Sequence, residues 1–129
     1  MLARELADYL QSRGIGTVGT DIFIGHIGSG VQSGIYLVQT GGAGQDSYLD
    51  TFYENIDIWS VNPLQKSSYD KLQGISNILS RTTNFNLTNY YIYYAQDISG
   101  AMNMDKTADE LSLHKITFRV IYRNINLIS

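Results

Sequence analysis

The chain has no cysteine, which excludes disulfide staples, thiolate nucleophiles and cysteine-ligated metals. It has one proline, Pro63, and neither a linker nor an internal repeat is visible. Charge is scarce: 16% of residues are charged, against about a quarter in ordinary proteins. The net charge is −3 and the sequence pI about 5.1, so no strong phosphate-binding footprint is present. No apolar run approaches the ~18 residues of a membrane span. Arg4, Glu5 and Asp8 interrupt the opening "MLARELADYL" and break a signal-peptide core. These absences lead us to expect an intracellular, soluble protein with no membrane partner. The match of Asn86-Leu87-Thr88 to a glycosylation acceptor carries little weight without a secretory signal. At 129 residues the chain is the size of one domain, 1–129, and can bury one real core.

Tyrosine, by contrast, is abundant: there are ten. Tyr joins a broad apolar face to a polar tip. It fills the surface of β-rich proteins and is also favoured at protein–protein interfaces; composition leaves both readings open.

Periodicity divides the chain into elements. Leu2, Leu6, Tyr9 and Leu10 recur at helical spacing and Gly14 is a stop signal, which predicts a helix over 2–13. Residues 20–27 and 35–40 read as two strands joined by the Gly28–Gly34 turn, close enough for a hairpin. Residues 51–61 alternate Phe52, Ile56 and Ile58 against Tyr53, Asn55, Asp57 and Trp59, a strand with one strongly apolar side. After Pro63, Leu64, Ser68, Leu72, Ile75 and Leu79 form one stripe of a second helix, about 64–81. Gly74 inside it predicts close packing on a neighbour, because glycine costs roughly 1 kcal/mol there against alanine. Residues 86–98 read as a strand with Tyr90, Ile92 and Tyr94 on one face and Tyr91, Tyr93 and Ala95 on the other. Residues 99–111 read as a loop. The last strand, 114–123, sets Ile116, Phe118, Val120 and Tyr122 against Lys115, Thr117, Arg119, Ile121 and Arg123. The expected fold is α+β: a mostly antiparallel sheet with two helices packed on one face.

The chemical motifs are weak. Gly41, Gly42 and Gly44 suggest a phosphate loop, but Gln45 and Asp46 stand where a Walker loop needs lysine and a hydroxyl. A strand follows, not the helix of a dinucleotide fingerprint. We read an inter-strand loop. His26 and His114 are isolated and form no ligand pair; a solvated or hydrogen-bonded strand histidine is the expectation. Asp105, Asp109 and Glu110 lack the glycine turn and terminal Glu of a calcium loop. No nucleophile elbow is present. We therefore expect neither an enzyme nor a cofactor or metal. "NYYIYY" could stack bases as an aromatic platform, with only Lys106, Lys115, Arg119 and Arg123 near it.

The sheet poses a sharper problem. The Tyr90–Tyr94 strand is aromatic on both faces, and Tyr53, Trp59 and Ile121 point away from the apolar sides of their strands. Large exposed apolar patches are uncommon on monomers. Either a curled sheet buries both faces within one chain, or a neighbouring copy covers the second.

Taken in order, "LADYLQSRGIGTVGTDIFIG" (6–25), "IYLVQTGGAGQD" (35–46), a strand, a helix and the closing "HKITFRVIYR" resemble the tail terminator, or minor capsid, proteins of long-tailed bacteriophages. Ala43-Gly44-Gln45 departs from the prolines that often follow the two glycines in that family. The resemblance implies a sheet flanked by helices on one side and a ring, usually hexameric. That ring caps the finished tail tube, ends its polymerisation and gives the surface for head–tail joining. Implied partners are the protein itself, the tail tube protein and a head-completion or connector protein, with DNA passing through the ring without sequence-specific binding. The protein would assemble in the host cytoplasm and end in the virion, at the head-proximal end of the tail. Gly41, Gly42, Gly44, Gln45 and Asp46 are the candidate assembly loop. Tyr53, Trp59, Tyr91, Tyr93, Lys115, Arg119 and Arg123 are candidates for a subunit or lumen contact. A head-completion or neck connector protein is the alternative of the same world; a single-stranded nucleic-acid-binding domain is the alternative of another class.

Overall fold

The computed structural model describes residues 2–25, 33–41, 51–104 and 111–125. Helix α1 runs Leu2–Ser12, followed by strands β1 (Ile22–Ile24), β2 (Gly34–Gly41) and β3 (Phe52–Asn62). Helix α2 (Gln65–Arg81) leads to β4 (Phe85–Asn86), β5 (Tyr90–Asp97), β6 (Met102–Met104) and β7 (Ser112–Asn124).

The first helix ends where its sequence says it should. Gly14 takes a left-handed φ of 83°. Its N–H donates to the Gln11 carbonyl and that of Ile15 to the Leu10 carbonyl, each at 3.1 Å, so the last carbonyls are capped by a Schellman turn. Leu2, Leu6 and Leu10 face inward and are almost wholly buried. On α2 the buried stripe is Ser68, Leu72, Ile75 and Leu79. Leu64, predicted to open that stripe, lies outside the helix and is 66% exposed.

The sheet order is β1-β2-β3-β7-β5-β4, with β6 pairing on β7. It is α+β, as expected, but the sheet is mixed and curled. The expected hairpin of the first two strands does not form: β1 pairs with β2 in parallel, Ile22 opposite Ile35 and Ile24 opposite Leu37. The physical reason is length. A three-residue strand is only about 10 Å long, so the connecting residues 25–33 can carry the chain back beside its own start. Gly34 permits the close entry. Its φ is 157°, and a Cβ there would lie 2.7 Å from the Asp21 carbonyl oxygen, which accepts the Ile35 N–H at 2.7 Å. The remaining named pairs are antiparallel.

Two further corrections concern the third quarter of the chain. The strand expected over 86–98 is a small hairpin, with Phe85 opposite Ile92 and Asn86 opposite Tyr91. The stretch expected as a loop over 99–111 contains β6, whose Met102 lies opposite Lys115. Strands β5 and β6 therefore follow one another along the same side of β7. Between them the Asp97 carboxylate accepts the N–H groups of Ser99 and Gly100 at 3.1 and 2.6 Å. The Ser99 hydroxyl accepts the Thr117 N–H at 2.9 Å, replacing a missing ladder carbonyl.

Both helices lie on one face. Helix α2 packs on β3, β7 and β5, and α1 on β1 and β2. Their leucines and isoleucines join Ile35, Leu37, Ile56, Ile58, Ile92, Ile116, Phe118 and Val120 in one cluster. Helix α1 also reaches the far edge of the sheet. The Glu5 carboxylate accepts the Asn89 backbone N–H at 2.7 Å and its side-chain amide at 2.9 Å, and Tyr9 stacks on Phe85 at 4.7 Å. One helix can touch β1–β2 and the β4–β5 turn together only if the sheet curls around it. Below α1, Gln39 donates to Glu54 at 2.8 Å. Burial, with the nearby Glu54 carboxylate adding to it, pushes the Tyr90 and Tyr122 phenols above their ordinary range.

Under α2, buried His114 shares a 2.8 Å hydrogen bond with the Ser68 hydroxyl. That hydroxyl donates its own hydrogen to the Ser60 carbonyl at 2.9 Å, so His114 Nδ1 carries the proton and donates. Burial lowers the His114 pKa below its ordinary 6.5. The folded state thus binds a second imidazole proton more weakly than the unfolded state does. Its contribution to stability is intact above pH 6.5 and is lost as pH falls below it. Between about pH 7.5 and 5.5 the wild type should lose unfolding free energy more steeply than His114→Gln, measured by urea denaturation at each pH. Gly74 gives a second test. Contrary to the predicted close packing, a Cβ there meets nothing within 4 Å. Gly74→Ala should therefore stabilise the fold by about 0.5–1 kcal/mol, read as a raised melting temperature.

Candidate functional site

A β-strand turns successive side chains to opposite sides, and β7 shows the consequence along its length. Ser112, His114, Ile116, Phe118 and Val120 are buried toward the helices, whereas Lys115, Thr117, Arg119 and Ile121 are half-buried on the other side and Arg123 is exposed. Register carries that second side across the sheet. Trp59 lies opposite Lys115, Asn55 opposite Arg119 and Tyr53 opposite Ile121; Tyr91 lies opposite Arg123. Six of the seven side chains predicted as a contact therefore share the face the helices leave uncovered, and Tyr93, in the β5 bulge, adjoins them through Tyr91.

Each cation of β7 rests against an aromatic ring. Lys115 Nζ lies 5.2 Å from the Trp59 ring centre. The guanidinium carbons of Arg119 and Arg123 lie 4.8 and 4.9 Å from Tyr53 and Tyr91. Arg119 reaches Tyr53 diagonally, since its direct partner is Asn55. Such contacts are each worth roughly 0.5–1 kcal/mol at exposed sites, and more where desolvated. Tyr93 meets Tyr91 edge-on at 5.2 Å, and the Thr117 hydroxyl donates to Asp57 at 2.7 Å. Beyond β3, Tyr36 lies opposite Trp59 and stacks on Phe23 at 4.9 Å. The face is thus a row on β7 of cations alternating with Thr117 and Ile121, flanked by aromatic rows on β3 and β5.

Two polar atoms at its centre have no hydrogen-bond partner among the described residues. Asn55 Oδ1 and Arg119 Nε, on directly opposed residues, are buried without a hydrogen bond. Such groups cost about 1–3 kcal/mol each when left unsatisfied.

Sequence reasoning missed part of the rim. The pairing of β5 shifts between Ile92 and Tyr94, so that Tyr94 lies opposite Ile121 and Ala95 opposite Val120. The bulge reverses the predicted faces: Ala95 is buried in the core, and Tyr94 is 45% exposed beside Ile121. Ile98, whose N–H donates to the Thr117 carbonyl, and Met102, opposite Lys115, continue this edge and are 42% and 44% exposed. A strand broken at Asp97–Gly100 leaves no period of two to read, so neither residue carried a signal. Of the predicted assembly loop, Gly41 closes β2 with φ 101°; Gly42, Gly44, Gln45 and Asp46 lie outside the described residues, as does His26.

The described residues contain no group of three or more His, Asp or Glu side chains placed to hold a metal ion. No helix among them is long and apolar enough to cross a membrane. A shallow cleft of about 420 Å³ lies between α2 and β6, lined by Tyr69, Ala101, Asn103 and His114 among others. His114 reaches it with its Nδ1 committed to Ser68, and Ser68 donates to a backbone carbonyl, so this Ser–His pair is not arranged as a nucleophile and its base.

No individual protein of curated function matches the chain. A family profile described as bacteriophage tail terminator protein matches residues 9–124, from the last turn of α1 to the end of β7. That family is structural and is not a family of enzymes. The sheet with both helices on one side, the bare aromatic face and this match over most of the chain converge: the protein belongs to the bacteriophage tail terminator family.

Proposed function

We propose that the protein forms a ring, hexameric on the family's pattern, which caps the finished tail tube, stops further addition of tube protein and offers the surface for head–tail joining. The observation that supports this reading is the helix-free face, whose rim exposes Tyr94, Ile98 and Met102. Contiguous apolar surface of this kind is uncommon on monomers, and a neighbouring copy covers it most economically. The action is geometric: one ring face matches the last tube ring, and the other is no longer a template for tube protein, so growth ends where complementarity ends. Assembly takes place in the host cytoplasm, and the ring stays in the virion at the head-proximal end of the tail. DNA passes through it without being read. Base stacking on this sheet is disfavoured, because Lys115, Arg119 and Arg123 already lie against the rings of Trp59, Tyr53 and Tyr91.

Particles lacking the protein should carry overlong tails by electron microscopy. Detached tails of normal length beside leaking heads would assign the protein to the neck instead. Trp59→Ala separates assembly from folding. It should lower the subunit's stability by less than Phe118→Ala, which empties a fully buried site at a cost of about 3–5 kcal/mol, and yet reduce incorporation into tails. A loss of stability from Trp59→Ala equal to that of Phe118→Ala would place Trp59 in the core.

A further inference from the structure

A ring needs a specific contact between copies, and the helix-free face has the chemistry for one. We propose that this face receives, in trans, the acidic segment Asp46–Asp50 of a second copy of the chain; the inference rests on the self-assembly reading above.

Charge supplies the first argument. Of nine basic residues in the chain, Lys115, Arg119 and Arg123 lie on this one face. Asp57, opposite Thr117, is already engaged by that residue's hydroxyl. The chain as a whole carries −3, so a cationic strip sits on an acidic protein, and a second copy meets it with acids of its own.

Spacing supplies the second. The three cations recur every fourth residue of an extended strand, so neighbours stand about 13 Å apart. In sequence, Asp46 and Asp50 are also four residues apart, with Ser47, Tyr48 and Leu49 between them. Bound in extended form, such a segment sets its two carboxylates over consecutive cations.

The third argument is the unmet hydrogen bonding at the centre. Arg119 Nε is buried with no partner among the described residues, while the residue as a whole is half-buried, and a carboxylate is the acceptor that suits a guanidinium. The adjoining rim then decides what kind of anion fits. Tyr94, Ile98 and Met102 are apolar and exposed. A nucleic-acid phosphate would leave them in water, whereas Tyr48, on the same side of an extended segment as Asp46 and Asp50, supplies apolar area to cover them. An acidic peptide satisfies both halves of the surface.

The test is a charge exchange in the full-length chain, followed by sedimentation equilibrium. Arg119→Glu with Arg123→Glu, and separately Asp46→Lys with Asp50→Lys, should each weaken self-association on the order of tenfold or more. Mixing the two variants in equal amounts should restore association to the wild-type level. Circular dichroism checks that each variant folds; if a reversal does not, Arg119→Gln and Asp50→Asn replace it and each should weaken association in the same direction. Wild type that remains monomeric at every concentration overturns the proposal. So does a mixture that remains unassociated, which would place the segment on its own chain's face. Cation variants that associate normally but lose binding to a DNA oligonucleotide would also overturn it and assign the face to nucleic acid. Tails of normal length built with either reversed variant alone would remove this contact but leave tail termination standing, since that reading is judged by the tails of particles lacking the protein.

Discussion

Strand β7 is the member on which the rest of the molecule depends. It is paired along the whole length of β3 on one side and with β5 and then β6 on the other. Its alternating side chains must meet two different demands. Ile116, Phe118 and Val120 are fully buried beneath the helices, while Lys115, Arg119 and Arg123, on the other side, stand against rings from β3 and β5. Because the side-chain period is two, a one-residue slip would move the cations into the core and Phe118 onto the open face. The register that holds the core together is therefore the register that sets the cations against the rings on the other side.

Helix α1 adds the second constraint. It is short, and an isolated helix of its length is marginal in water; packing and its contacts across the sheet hold it. On one side its leucines pack with Ile22, Ile35 and Leu37 in the core. On the other, Glu5 and Tyr9 hold the β4–β5 turn through Asn89 and Phe85. Closing the distance between those two sides imposes the curl. The curl gives the helices a concave bed, and no helix among the described residues lies over the opposite face. A flat sheet with the same strands would part α1 from either β2 or Asn89.

Family membership fits this division of labour. The bacteriophage tail terminator family is structural and is not a family of enzymes. The described residues offer surfaces in quantity: an aromatic row, a cationic row and an apolar rim on one side of one sheet.

Much of this was legible in the chain itself. The stripes of α1 and α2, the one-sided alternation of β3 and β7, and the gathering of Tyr53, Trp59, Lys115, Arg119 and Arg123 onto a common side all follow from local periodicity, which acts over a few residues and needs no partner to be read. The parallel pairing of β1, the reversal of Tyr94 and Ala95, the short strand at Met102 and the placement of His114 against Ser68 do not follow from it. Each depends on which segment happens to lie alongside: a three-residue strand takes the direction its neighbour allows, a bulge exists only in relation to an opposing strand, and a buried histidine is defined by a helix far away in sequence. Side-chain period was set by the sequence alone; pairing direction, bulge position and curl were decided by the tertiary structure, because those are properties of two or more segments in contact and of none of them singly.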